Sequence, residues 1–392
     1  MNRLLRVGLD ILLTSVTPIL GWLLLGIIVD KNLINIFSLI YPLQFVISTI
    51  KIIFGTGANI SAIRDNDRNT VFSGIVLGGT LGFVILGFVI LNIDKYITFM
   101  NMDIETYKVF AIYGVIQFFF QLLLNLSLCK LYYEGYNKKA NKYSFLFNLI
   151  NFTTLITMSL ITKNQILIVS VSIIITSLFV VIMMAKVVER TKIQINLKNC
   201  IKYDSATLCA ELSMFIIYLF GLKTAFEFGE KYILAMSFAT LISDTQWDML
   251  NAIKIVAQID IAKRVFSYKE HIKHSKKYTL GLIISSIIMG LILYPFYHVD
   301  ITATIIIVGV ELLTMYMDPF FVVKIIYMQL EYSALKTTLS KQVAYILRIG
   351  CSFIASPYCT SIGLMVSQVY QLIYANLVIR KNKISMEMGK NT

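Results

Sequence analysis

The sequence predicts an all-α integral membrane protein: twelve transmembrane helices in two six-helix bundles around a central cleft. Two observations predict it. The first is a recurrence of apolar windows of roughly 20 residues, the length at which a helix crosses a bilayer core of about 30 Å. They fall near residues 7–29, 33–61, 70–93, 106–129, 143–162, 166–185, 203–222, 232–259, 278–296, 302–327, 337–357 and 361–379 of the 392. The second is the distribution of charge. With the N-terminus in the cytoplasm, the inside segments hold 25 basic residues and the outside segments only five, Lys31, Lys95, Lys163, Lys223 and Lys231. Cytoplasmic loops of membrane proteins carry this excess, and a missed or invented span would scramble it. The composition agrees, with 57 % hydrophobic residues, 15 % charged residues and a mean hydropathy of +0.75. A soluble domain has about 25 % charged residues. An ordinary soluble domain, a disordered chain and a nucleic-acid binder are excluded together, because the net charge of +13 is a property of the loops.

Each element has its own signal. Met1-Asn2-Arg3-Leu4-Leu5-Arg6 leads into an apolar run that contains Pro18 and ends without a small-residue cleavage site, so it reads as the first span and not as a signal peptide. Span 2 carries Pro42 and ends at Arg64-Asp65-Asn66-Asp67-Arg68; span 4 ends at Lys130, before Tyr136-Asn137-Lys138-Lys139. The basic stretch Lys186–Lys202 is the longest cytoplasmic segment. It divides the chain into a bundle over 1–190, a linker over 191–202 and a second bundle over 203–392. Pro319 interrupts span 10 and Pro357 span 11; a proline cannot donate to the carbonyl four residues back, so span 10 is expected to bend beside Asp318. The five cysteines lack metal spacing and read as small apolar residues. His271, His274 and His298 are expected in loops, which leaves no histidine metal site. No GxxxxGK[ST] motif is present, so this chain alone is not an ATP-driven pump.

Ionisable groups inside spans cost a few kcal/mol each and ordinarily face a cavity or a partner. The second half is dense in them: Glu211, Asp244, Asp248, Lys254, Glu311, Asp318, Lys324 and Arg348. Glu311 and Asp318 are two helical turns apart and share a face of span 10. Asp244, Asp248 and Asn251 share a face of span 8. At 1.5 Å per residue, Glu211 and Asp318 both lie roughly 12–14 Å above the cytoplasmic edge. Carboxylates that converge either share a proton or hold a cation, so Glu211 and Asp318 are expected to form a coupling site for H⁺ or Na⁺. Asp244, Asp248 and Glu311 are further candidates. The competing reading is static: Lys254, Lys324 and Arg348 each neutralise an acid. Candidates for a substrate cleft are Lys51, Gln121, Tyr316 and Arg348. Lys51 is the one mid-span charge of the first half; it faces either an acid across the cleft or an anionic group of a substrate. Gln44, Gln117, Asn125, Asn148 and Asn151 either line the cleft or join helices.

Several stretches carry a resemblance. Asn35–Arg64, ending Phe-Gly-Thr-Gly-Ala-Asn-Ile-Ser-Ala-Ile-Arg, is similar to the second span of multidrug and toxic compound extrusion (MATE) transporters, of the multidrug/oligosaccharidyl-lipid/polysaccharide flippase superfamily. Ala252–Lys277 resembles the end of their span 8 and the amphipathic stretch after it. Tyr316-Met317-Asp318 resembles their acidic segment in span 10, Glu211 falls where the family places a cation-binding Glu, and Pro18 matches the proline of its bent first span. One departure is informative. Many members carry an Asp in the middle of span 1, where this chain reads Leu20-Gly21-Trp22-Leu23-Leu24-Leu25.

The resemblance implies a secondary antiporter, not an enzyme, in which inward Na⁺ or H⁺ drives export of an organic cation or amphipathic compound. The coupling ion would bind at Glu211 and Asp318, with no other cofactor. The expected partners are a small organic substrate and the lipid bilayer, the expected state a monomer, and the expected location the cytoplasmic membrane with both termini inside. The alternative is a flippase for lipid-linked oligosaccharide or another lipid, which would want a basic cavity; Lys51 and Arg348 support that reading. A non-transporting assembly or immunity partner is a third class, and it would need no converging acids.

Overall fold

A computed structural model describes residues 2–203 and 205–386. Helices cover each of the twelve expected windows. In chain order they are α1 (Asn2–Ile28), α2 (Ile34–Lys51), α3 (Ala58–Asp65), α4 (Asn69–Leu91), the short α5 (Ile93–Phe99), α6 (Ile104–Tyr133), α7 (Asn137–Ile161), α8 (Gln165–Val187), the short α9 (Leu197–Tyr203), α10 (Ser205–Phe226), α11 (Glu230–Ala262), α12 (Tyr268–Tyr297), α13 (Ile301–Tyr327), α14 (Ala334–Ser352) and α15 (Cys359–Lys381). Among the described residues nine helical segments are long and apolar enough to cross a bilayer. The charged residues of α11 and α14 keep those two below that standard, although their 33 and 19 residues suffice in length. The chain is a multi-pass membrane protein.

Two details differ from expectation. α12 begins at Tyr268, ten residues before the apolar window, so His271 and His274 are helical and not in a loop; His298 caps its C-terminus at φ 48°. The stretch is amphipathic, and its helix is set by packing: His271, Ser275, Tyr278 and Thr279 are buried along one side. Pro357 lies beyond α14, in the turn before α15. Pro319 lies inside α13, as expected. The side chain of Pro18, and Lys390, lie outside the described residues.

By packing, the chain divides into Thr17–Lys223 and a unit made of Met1–Val16 with Thr224–Thr392. The expected bundles divided the chain at 190 and 203. The packing units put nearly all of α10, and with it Glu211, with the first half, and the start of α1 with the second.

In the unit Thr17–Lys223, α2 and α3 are joined by a π-helical turn over Ile52–Gly57, immediately after Lys51. Such wide turns are rare and frequently found at functional sites. Neighbouring glycines admit it. A Cβ on Gly74 of α4 would stand 2.1 Å from the Phe54 carbonyl oxygen, and one on Gly57 would stand 2.5 Å from the Cys200 carbonyl oxygen. Gly78 and Gly82 continue the Gly74 stripe at four-residue steps against Phe54 and Leu122. Small residues at this spacing let helix backbones approach closely in lipid. Ile50, Ala62, Val71, Ile75, Leu122 and Leu126 form one core, and Leu124, Leu128, Phe147, Val180 and Met183 form another.

In the other unit, Leu250, Ile253, Val256, Ala257, Met315, Phe321 and Ile325 pack on Leu4 of α1. The end of α1 is fixed by charge as well. Arg3 bonds and pairs with Asp260, and the same carboxylate meets Nε2 of His271 at 2.9 Å. The Tyr278 hydroxyl donates to the Met249 carbonyl at 3.0 Å and fills the space a Cβ on Gly8 would need.

α14 reveals which solvent these helices meet. Leu335, Leu339 and Ile346 are 71, 57 and 64 % exposed, while Thr337, Ser340, Ala344 and Ser352 are buried. A helix in water turns its apolar stripe inward; this one turns it outward, as lipid demands. The outer faces of α4 (Phe83, Phe88, Leu91) and α12 (Leu280, Ile288, Leu291) are apolar too.

Candidate functional site

Glu211 and Asp318, expected as a pair, fall in different packing units, so each is described in its own surroundings. Glu211 on α10 is half-buried, and the charge that reaches it is that of Lys51. Lys51 is exposed, at the last position of α2 before the π-helical turn. Its charge also reaches Cys129 of α6, whose sulfur sits where a Cβ on Gly55 would be 3.0 Å away. The mid-span lysine and the span 7 acid thus belong to one neighbourhood.

The same unit has a small, partly open cavity of about 50 Å³ between α1, α2, α6 and α7, its wall mostly apolar but carrying a group of side-chain amides. Gln117 and Gln121 line it from α6, Asn148 and Asn151 from α7, and Trp22 and Tyr113 lie against it. The Tyr113 hydroxyl donates to Asn151, and the Trp22 ring meets the Tyr113 ring edge-on at 6.1 Å between centroids. Gln117 is 7 % exposed, yet neither its amide nitrogen nor its oxygen has a partner. Leaving a buried amide unpaired costs about 1–3 kcal/mol. The cavity is several times smaller than the roughly 300 Å³ at which organic-ligand pockets begin. Gln121, a cleft candidate from the sequence, lines this cavity together with Gln117, Asn148 and Asn151. Gln44 and Asn125 do not line the cavity.

In the unit with α11–α15, α13 carries the two acids. Asp318 is 5 % exposed and its Oδ2 has no hydrogen-bond partner. The charge that reaches it comes from Lys254 of α11. Glu311 sits two turns away on the same face, takes a hydrogen bond from Ser243 of α11, and leaves Oε2 shielded and unpartnered. α11 and α13 are among the most closely packed helix pairs of the chain, which is why their facing polar groups cannot escape to the surface. Asp244 and Asp248 are half-buried on α11, and each has an interaction of its own.

The basic residues are mostly engaged with amides. Lys254 donates to Asn251 Oδ1 at 2.9 Å, Lys324 to Asn376 Oδ1 at 2.6 Å, and Lys341 to Gln329 Oε1 at 2.9 Å. Gln329 belongs to a second π-helical turn, Met328–Tyr332, at the end of α13. Arg348 of α14 has an interaction partner, and its backbone lies within 3.3 Å of where a Cβ on Gly363 would be. Tyr316 is 43 % exposed on α13 and stacks edge-on against Phe320, beside the Lys276 ammonium 4.3 Å from the Phe320 ring centre. Tyr316 stands apart from the buried face that carries Asp318. Among the described residues no group of three or more His, Cys, Asp and Glu could hold a metal ion.

No family model matches the chain, and no curated protein matches it. Solved structures do. An inward-facing conformation of a multidrug resistance MATE family transporter of the MOP superfamily superposes with a TM-score of 0.69 at 15 % identity, over 96 % of this chain and 98 % of that one. An outward-facing conformation of a multidrug resistance MATE family transporter gives 0.63 at 16 % identity, over 97 and 96 %. A MOP superfamily transporter from Pyrococcus furiosus, described as having a binding pocket of reverse polarity that suggests a different function, gives 0.63 at 14 % identity, over 98 and 96 %. At these identities the likeness establishes the fold.

Proposed function

Because the chain has the fold of MATE transporters of the MOP superfamily, we propose that it is a secondary active antiporter, exporting organic cations or amphipathic compounds in exchange for Na⁺ or H⁺. The observation that carries the proposal is the pair of acids on one face of α13. Asp318 and Glu311 each keep one carboxylate oxygen shielded and without a partner. A charged carboxylate in that setting is costly, and a bound proton or sodium ion relieves the cost. Occupied and empty forms then differ in free energy, and an ion can drive a conformational cycle only by such a difference. Asp318 and Glu311 are the coupling residues in this reading. Glu211 is a third acid whose charge is tempered by Lys51. Gln117 and Gln121 meet the polar end of the substrate in a conformation where the cavity between their helices is wider than the 50 Å³ seen here.

The test is substrate efflux from proteoliposomes under separate Na⁺ and H⁺ gradients. Asp318→Asn and Glu311→Gln should abolish gradient-driven transport and leave thermal stability unchanged or raised. Wild-type rates in both variants would refute the assignment.

One observation favours the lipid flippase as a second reading. Lys51 is exposed and is not held in a contact ion pair among the described residues, so its ammonium is available to a phosphate. Under that reading Lys51→Gln removes transport of a lipid phosphate, whereas Asp318→Asn does not.

A further inference from the structure

The segment between α8 and α10 has a structure that neither the fold nor the transport reading uses. Residues 188–196 run without helix into α9. Inward, the segment is tied to the unit Thr17–Lys223: the Gln194 N–H donates to the Ser73 hydroxyl, Cys200 is fully buried, and its carbonyl closes on Gly57. Outward, Ile193 in the non-helical lead-in and Leu197 and Ile201, one turn apart on α9, are 60, 45 and 37 % exposed. Arg190, Lys192 and Lys198 are exposed around them. Two acids are near: Glu189 accepts from Lys130 at 3.0 Å, and Asp65, whose charge reaches Cys200, accepts from the Ser61 hydroxyl at 3.0 Å. Among the described residues none of the three bases forms an ion pair.

The charge of this end of the unit is one-sided. Residues 64–68, 130–142 and 186–198 carry ten bases and four acids, whereas residues 30–31, 94–108 and 163 at the other end carry four of each. Exposed apolar side chains among bases that form no ion pair with the described residues, at the level where spanning helices end, fit the boundary between headgroups and acyl chains. The excess of bases assigns that boundary to the cytoplasmic leaflet, which carries the anionic lipids.

We propose that residues 190–201 form a binding surface for anionic phospholipid, with Arg190, Lys192 and Lys198 on the headgroups and Ile193, Leu197 and Ile201 against the acyl chains. The surface bears on the candidate site through one contact. Cys200 presses on Gly57, the last residue of the π-helical turn that begins beside Lys51. Lipid bound here steadies that turn.

The experiment is hydrogen exchange on the full-length protein in nanodiscs of phosphatidylcholine alone or with phosphatidylglycerol. Each base near an anionic surface is worth about fivefold in partitioning, so three give on the order of 100-fold. Amides of 193–203 should exchange at least about tenfold more slowly with phosphatidylglycerol. The combined variant Arg190→Gln/Lys192→Gln/Lys198→Gln should erase the difference, and so should Ile193→Asn/Leu197→Asn. The control Lys138→Gln/Lys139→Gln/Lys142→Gln, with the same loss of charge nearby, should keep it. Equal protection in both lipids overturns the proposal, as does a lipid effect that survives in the first variant. Should that variant fail to fold, a salt titration of the wild type decides. Protection must collapse at molar salt, and its persistence overturns the proposal. No readout depends on transport, so failure here leaves the antiport reading standing, and the reverse holds.

Discussion

Replacing Gly74 by alanine adds one methyl group at the tightest helix contact of the unit Thr17–Lys223. The new Cβ would lie 2.1 Å from the Phe54 carbonyl oxygen, where ordinary contact begins at 3.4 Å. The obstacle is backbone, so α4 and the π-helical turn must separate by about 1 Å. Overpacking of this kind costs about 1–3 kcal/mol. Alanine recovers about 0.5–1 kcal/mol through its better helix propensity, so the net loss should be about 1–2 kcal/mol. Gly87, on the same helix, is the control, because a Cβ there meets nothing within 4 Å. Gly87→Ala should be neutral or stabilising by up to about 1 kcal/mol. Thermal unfolding in one detergent, or in nanodiscs of one lipid, measures both. The two variants should differ in sign. Equal melting temperatures would refute the close approach of α4 to Phe54, and with it the explanation of why this turn tolerates only glycine opposite it.

The remaining predictions concern the site and one helix start. Asp318→Asn should abolish ion-driven efflux without loss of stability, while Lys324→Met, whose ammonium is bonded to Asn376, should leave the efflux rate within about twofold; a larger loss in the lysine variant would shift the coupling role away from Asp318. Gln117→Leu should stabilise the fold by about 1 kcal/mol, since it removes an unpartnered buried amide, and should lower transport; unchanged transport would make the cavity purely structural. Asp103 caps α6 through the Thr106 N–H at 2.8 Å, and the Thr106 bonds hold its carboxyl below the ordinary carboxylate range. A depressed carboxylate stabilises above its unfolded pKa and loses that contribution as pH falls through the lower folded value. Asp103→Ala should therefore lower the melting temperature at neutral pH and progressively less in acid, as melting curves against pH will record.

The spans were legible because the bilayer fixes their length and their loops sort by charge. α11 shows why both signals were needed: with Asp244, Asp248 and Lys254 it falls short on hydropathy, but removing it would reverse every later loop. The acids of α13 were legible for the same reason, since a charge in an apolar window has no camouflage. Other features carried no linear signal. The stretch Ile-Ile-Phe-Gly-Thr-Gly reads as ordinary helix, and its wide turn depends on Gly74 and Gly57 meeting carbonyls far along the chain. Depth arithmetic set Glu211 and Asp318 at one height, but height along an axis says nothing about azimuth or packing partners. Gln117, Gln121, Asn148 and Asn151 were each visible as polar residues in spans; that they share one cavity with Tyr113 follows from how α6 and α7 are rotated. A four-residue step from Gln117 to Gln121 paired with the three-residue step from Asn148 to Asn151 would have been the pattern to look for.

The wide turn at Ile52–Gly57 has one more implication. A helix that changes from five-step to four-step bonding gives up one residue of slack, and everything downstream swivels by about 100° per residue. Here the slack is pinched in its middle and at its end, Phe54 by Gly74 and Gly57 by Cys200. Those two contacts oppose any change of register and so fix the angle at which α3 leaves α2 and its terminal Lys51.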